Sequence, residues 1–192
     1  MRNIYFLLIV IIATQTCYSQ KNDVALRIGA GSLYELIRVF ESNPLLNSTP
    51  GAVTVAGSKG QSPISLQYRA SADRFFSYSL EVQYMSVIHD VENDNTKENI
   101  GVLTTRYYTI MPGSQLNYFD NDVFGLSSGF SLGISMRTKT FDKVQTSESE
   151  SRTVLAAQID VLKLRFGKKF NVFTDIGFGT RSLITLGVGY RF

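Results

Sequence analysis

The chain has 192 residues, among them 15 glycines, 13 phenylalanines and 10 tyrosines, with no tryptophan, one cysteine and one histidine. That length fits one domain, and outside the N-terminus no run of about eighteen apolar residues exists to cross a membrane as a helix. Nineteen Lys and Arg against sixteen Asp and Glu leave a charge excess too small for a nucleic-acid footprint.

The N-terminus reads Arg2, an apolar run from Ile4 to Ala13, then Thr14-Gln15-Thr16-Cys17-Tyr18-Ser19-Gln20. Charged, oily and small residues in that order are the pattern of a secretory signal peptide. Cleavage after Ser19 is expected, giving a leader over 1–19 and one domain over 20–192. Cys17 as a lipidated first residue is the rival reading, but Thr14-Gln15-Thr16 lacks the Leu and small residues that usually precede such a cysteine. Loss of the leader removes Cys17 and Arg2, which leaves no thiol chemistry and 18 basic against 16 acidic residues.

Eight alternating runs follow. Val24, Leu26, Ile28 and Ala30 share one face of the first, with Ala25, Arg27, Gly29 and Gly31 opposite. The connection after it opens on Ser32-Leu33-Tyr34-Glu35, a capping-box form, with Leu33, Leu36, Ile37 and Phe40 at helical spacing before Asn43-Pro44. This predicts a short helix over 33–42 in the first long loop. Ile64, Leu66, Tyr68 and Ala70 form the second run, and Ala72-Asp73-Arg74 turns it into the third, where Phe76, Tyr78, Leu80, Val82 and Tyr84 oppose Ser77, Ser79, Glu81 and Gln83. A polar, acidic connection is expected from His89 to Asn99. In the fourth run, about 103–118, Pro112-Gly113 should mark a bulge or bend at which the alternation resets.

Asp120-Asn121-Asp122 turns the chain into the clearest two-faced strand, in which Phe124, Leu126, Phe130, Leu132, Ile134 and Met136 alternate with Gly125, Ser127, Gly129, Ser131, Gly133, Ser135 and Arg137. Thr138 to Thr153 is charged and reads as a mobile loop. The sixth run, Val154 to Gly167, slips phase near Val161-Leu162, and Lys168-Lys169 leads into the seventh, Phe170 to Gly179. After Thr180-Arg181-Ser182 the eighth run places Ile184, Leu186, Val188 and Tyr190 on one face, with Thr185, Gly187, Gly189 and Arg191 on the other, and Phe192 closes the sequence.

The fold class expected is all-β: an eight-stranded antiparallel up-and-down transmembrane barrel with a short helix in its first outer loop. The polar face carries few of the Lys and Glu residues of a solvated sheet, so it should turn inward and the oily face toward lipid. A closed barrel of this kind leaves no unpaired edge in hydrocarbon. The lumen of eight strands is just wide enough to be filled by side chains. The expected lumen ion-pair network comprises Arg27, Arg69, Glu81, Arg106, Arg137, Asp160, Asp175 and Arg191, with Lys163 and Arg165 joining if the sixth strand slips. Pairing the last two strands about Arg181 would set Asn171 opposite Arg191, Phe173 opposite Gly189 and Asp175 opposite Gly187.

Leader, eight phased runs, Gly-rich strands and the final Tyr190-Arg191-Phe192 together resemble the small outer-membrane barrels of the OmpX and OmpW types and the OmpA transmembrane domain. The segment from Gly167-Lys168-Lys169 through Asp175-Ile176-Gly177-Phe178-Gly179 to Gly187-Val188-Gly189-Tyr190-Arg191-Phe192 is also similar to porin-like barrels common in Bacteroidota. The resemblance implies a Gram-negative outer-membrane location, with outer-membrane lipid and lipopolysaccharide around the barrel. It also implies recognition of Tyr190 and Phe192 by the barrel-assembly machinery. Such families share no single activity.

Three functions follow from different classes: a structural or interaction protein of the envelope, with an envelope protein partner; a narrow channel; and a lipid A-modifying enzyme using His89, which has Ser86 and Asp90 near it in sequence. No further spaced motif supports the enzyme, and Asp90, Glu92, Asp94 and Glu98 lack the glycine and spacing of a calcium loop. The expectation is therefore the first class, with no catalytic residue, metal or cofactor.

Overall fold

In the computed structural model the described residues are 21–32, 53–93, 99–143 and 147–192. The leader, Cys17 and the helix expected over 33–42 lie outside them. Nine strands are present among the described residues: β1 Asn22–Ala30, β2 Val53–Gly60, β3 Ile64–Ser71, β4 Phe76–Asn93, β5 Asn99–Asp120, β6 Phe124–Lys143, β7 Ser147–Phe166, β8 Phe170–Gly179 and β9 Ile184–Arg191. All pairings are antiparallel, and eight strands close a ring in the order β1-β3-β4-β5-β6-β7-β8-β9, with β9 returning to β1. Closure leaves no sheet edge within the ring.

Alternation along each strand sorts the side chains as the sequence pattern requires. Leu26, Leu66, Leu80, Ile110, Ile134, Ile159 and Leu186 are exposed on the outer surface, whereas Arg27, Gln67, Glu81, Thr109, Ser135, Asp160 and Thr185 are buried inside. The usual arrangement of a water-soluble protein is inverted. Aromatic side chains collect on the outer surface near the chain termini, where Phe119, Phe124 and Phe166 form consecutive ring contacts, as do Phe170, Tyr190 and Phe192. Farther along the strands Tyr84 meets Tyr108 at 5.2 Å between ring centroids.

The end that carries Lys21 and Phe192 also carries three tight turns. Asp73 Oδ1 accepts from the backbone N–H groups of Phe75 and Phe76, and Asn121 Oδ1 accepts from those of Val123 and Phe124. These are local side-chain replacements for a backbone turn. Gly167, at φ +115°, makes the third.

At the far end the barrel is lopsided. β1, β3, β8 and β9 have 8 to 10 residues, while β4 to β7 have 18 to 22. Half of the wall thus rises beyond the ring as an open sheet. β2 is not an extra barrel strand: it continues the line of β3, pairing with Val87–Asn93 of β4 where β3 pairs with Ser77–Tyr84. The break between the two falls at Pro63, whose carbonyl accepts from Gly29 N–H.

Four features of the fold differ from the expectation. Residues 89–93 extend β4 instead of forming a loop, and most of 138–153 is paired strand, Lys139 lying opposite Glu150 and Thr138 opposite Ser151. Polarity misled because both faces of the raised sheet stand outside the oily belt, so a strand there needs a partner but no apolar face. Pro112 causes no reset: it sits opposite Leu80, faces outward and leaves the register unchanged, while the shift in β5 comes at Asn117–Phe119. One missing donor leaves the remaining rungs of the ladder in place. Finally, β8 and β9 pair two residues away from the register expected, with Asn171 opposite Gly189, Phe173 opposite Gly187 and Asp175 opposite Thr185. The chain takes a wider turn than Thr180-Arg181-Ser182 alone, closed by Gly177 N–H donating to the carbonyl of Leu183.

Candidate functional site

The lumen is the most elaborate chemical environment in the protein. Its charges form two groups stacked along the barrel. In the group nearer the raised sheet, Arg181 Nη1 lies 2.7 Å from Glu81, and its Nη2 contacts Asp160 and is 3.7 Å from Asp175. Lys163 stands 3.2 Å from Asp160 and 3.9 Å from Asp175, and Arg27 donates to Asp175 at 2.5 Å. The Arg27 guanidinium also lies over the Phe173 ring at 5.2 Å. Three cations thus meet three carboxylates out of water, so each charge has a partner and the cost of desolvating it is offset.

Arg181 is the hub because of its turn. Residues 180–182 fold into the barrel mouth and are buried. Gln158 holds them there: its Oε1 accepts from Arg181 N–H at 3.0 Å and its Nε2 donates to the Ser182 carbonyl at 3.1 Å. Gln83 donates to the Thr180 carbonyl at 3.4 Å, and the Thr180 hydroxyl contacts Met111 Sδ at 3.6 Å. The small last loop is therefore an internal plug.

The second group lies near the termini. Asp23 takes Arg69 on one side and Arg191 on the other, at 2.8 Å from Arg191 Nε. Asp120 is 3.3 Å from Arg191 and 2.7 Å from Arg165. Arg165 also donates to the carbonyls of Gly167 and Asn121, so it ties two turns to the barrel wall. Here three arginines share two carboxylates.

Eight of the ten lumen charges expected from the sequence lie in these groups: Arg27, Arg69, Glu81, Asp160, Lys163, Arg165, Asp175 and Arg191. The phase slip in β7 is a register shift between Asp160 and Leu162, and it is what turns Lys163 and Arg165 inward. Arg106 and Arg137 are corrected. Arg106 is opposite Thr138 on the outer surface, because β5 keeps one phase through Pro112. Arg137 shares the parity of inward Ser135 but lies above the ring on the raised sheet, between Tyr107 and Arg152, and has no ion-pair partner among the described residues.

Asp23, Asp120 and Arg181 were missing from the expected set. Asp23 carried a usable signal, since it has the same parity as Ala25 and Arg27. The other two sit at or in turns, where no periodicity reports the direction of a side chain. His89 lies in β4, opposite Ser58 and Leu103, within the raised sheet. Asp90 and Glu92 are strand residues of β4 as well, and Asp94 and Glu98 lie outside the described residues.

Between the two charge groups the side chains leave a small cavity with room for about one water molecule. Elsewhere glycines admit the bulk of their neighbours: a Cβ on Gly189 would stand 2.6 Å from the Phe173 ring, and one on Gly187 would stand 2.8 Å from Arg27 Cγ. Large lumen side chains thus face empty positions, and the bore is filled.

An eight-stranded up-and-down antiparallel barrel with an apolar exterior and a charged interior is the fold of small outer-membrane β-barrel proteins. The comparison with solved structures finds two crystal structures of Ail, the attachment invasion locus protein of Yersinia pestis, each at 17% identity over 90% of this chain and 97% of theirs. The TM-score is 0.50 for the complex with the heparin analogue sucrose octasulfate and 0.49 for Ail alone. No family model and no curated protein matches the chain.

Proposed function

We propose that this protein is an outer-membrane barrel of a Gram-negative envelope, exported with cleavage of its leader after Ser19, and that it works through the sheet it raises above the membrane. The outward apolar belt supports insertion in lipid. Ring strands of 8 to 10 residues match the length needed to span a bilayer when tilted, and the aromatic contacts lie toward the two ends of that belt. Lipid and lipopolysaccharide would surround it, and Tyr190 on β9 and Phe192 just after it, both exposed, would be read by the barrel-assembly machinery.

The observation that carries an interaction role is the raised part of β7. β8 accompanies β7 only up to the pairing of Gln158 with Gly179, plus one bond from Thr180 N–H to the Ala157 carbonyl. Among the described residues no strand pairs with that side of β7 from Ser147 to Ala156. An open edge of this length can accept a strand of a partner, main chain to main chain. The charge-paired lumen, plugged by residues 180–182, supports a structural and binding role over conduction or lipid chemistry, and no catalytic part is assigned to His89.

Replacing 139–150 by Asn-Gly would remove the raised tip of β6 and β7 while leaving the belt residues Met136 and Leu155 in place. Protein captured from detergent extracts of its own cells should retain a co-purifying envelope component in the unaltered form and lose it in the shortened one. Both forms should run as compact bands on unheated SDS gels and show no steady conductance in a planar bilayer. The shortened form keeps Ser151 to Ala156, so identical co-purifying sets would refute a role for the tip of the edge, and a reproducible open channel would replace the binding role by a pore.

A further inference from the structure

The lumen does not balance its charge. Six cations (Arg27, Arg69, Lys163, Arg165, Arg181 and Arg191) are paired with five carboxylates (Asp23, Glu81, Asp120, Asp160 and Asp175). The surplus positive charge belongs to the group near the termini, and the cavity opens beside it. Arg27, Arg69, Lys163 and Arg165 line that cavity together with Gln115, and Asp120 is the sole carboxylate on its wall.

Three of these residues also leave buried donors without a partner: Arg27 Nε, Arg165 Nε and Gln115 Nε2. All three side chains are at least nine-tenths buried. An uncompensated cation out of water is costly, and so is an unpaired buried donor. We propose that the cavity binds one monatomic anion of chloride size, which accepts from these donors and neutralises the lumen. A water molecule would fit the space, and it could donate to Asn117 Oδ1, an unpaired acceptor of a residue on the same wall. Water cannot remove the surplus charge, and a cavity ringed by donors offers it few acceptors.

Ser127 lines the same cavity and is buried. A carboxylate placed there would stand in for the anion. The test uses the full chain, refolded in detergent either in chloride or in gluconate, which is too large for the space, at equal ionic strength. The midpoint of thermal unfolding should be higher in chloride by about 3 °C. Ser127→Asp should unfold at one temperature in both salts, near the chloride value of the unaltered protein. Crystals grown in bromide should show one anomalous peak at the cavity, absent in Ser127→Asp. Equal midpoints in the two salts, or water in place of bromide, would overturn the site. A bromide peak that persists in Ser127→Asp with no salt effect on stability would mark an adventitious ion only, and overturn it equally. If Ser127→Asp fails to fold, Gln115→Glu supplies the same charge from the neighbouring strand β5, and the bromide experiment on the unaltered protein stands without either variant.

Discussion

Arg181→Met is expected to destabilise the barrel by about 4 kcal/mol, the cost of removing one partner from a buried ion pair and leaving its carboxylates unpaired. Arg181 bridges Glu81 on β4, Asp160 on β7 and Asp175 on β8, so its loss strands negative charge on three strands at once. Methionine keeps much of the volume, which separates the loss of charge from the loss of packing. Arg181→Lys should recover part of the stability, since one ammonium cannot reproduce the fork that spans Glu81 and Asp160. Arg106→Met, on the outer surface, should change stability by no more than about 0.5 kcal/mol. Urea unfolding of the detergent-refolded protein measures all three. Equal midpoints for Arg181→Met and Arg106→Met would mean that the ion pairs do not hold the lumen together.

Gly133→Val should be as damaging for a steric reason. A Cβ at Gly133 would lie 1.9 Å from the Ile110 carbonyl oxygen and 2.8 Å from Met111 Cα, both backbone atoms of the adjoining strand. Neither can step aside as a side chain would, so β5 and β6 must part in mid-wall, at a cost of about 3 kcal/mol or more. Gly125→Ala is the control on the same strand and face. Its Cβ would meet Arg165 Nε at 3.1 Å, an atom on a long side chain that can shift. The valine variant should lose the compact band on unheated gels and the alanine variant should keep it. A compact band for both would show that the close approach of β5 and β6 is not needed for closure.

These two positions also mark where sequence reading succeeds and where it stops. Gly133 was legible as an inward small residue because β6 alternates without interruption from Phe124 to Arg137, and a period of two assigns faces once one residue is placed. The same logic placed Arg27, Glu81 and Asp175 inside. Arg181 was not legible, because a turn can fold out or in, and its entry into the mouth depends on Gln158 and Gln83, which come from distant parts of the chain. Asp120 falls at a turn in the same way. The raised sheet was hidden for the opposite reason: the stretch around Thr138, Lys139, Glu150 and Ser151 has no oily face, and its pairing rests on main-chain bonds and on contacts such as the 2.8 Å hydrogen bond between Thr138 and Ser151. The β8–β9 register lies two residues from the expected one because the turn between Gly177 and Leu183 is wide, and a shift of two keeps every side chain on its own face.

The outer surface of the barrel is expected to face lipid and the inner surface other side chains. Single cysteines at Leu132, Ile159 and Leu186, each exposed on the outer surface, can carry nitroxide labels on protein reconstituted in lipid bilayers. The measurement is the collision rate of each label with oxygen, which concentrates in hydrocarbon, against that with a water-soluble nickel chelate. At all three positions oxygen should collide freely and the chelate should be shut out, while a label at exposed Arg152 on the raised sheet should show the reverse. Free access of the chelate to Leu132, Ile159 and Leu186 would contradict the membrane barrel.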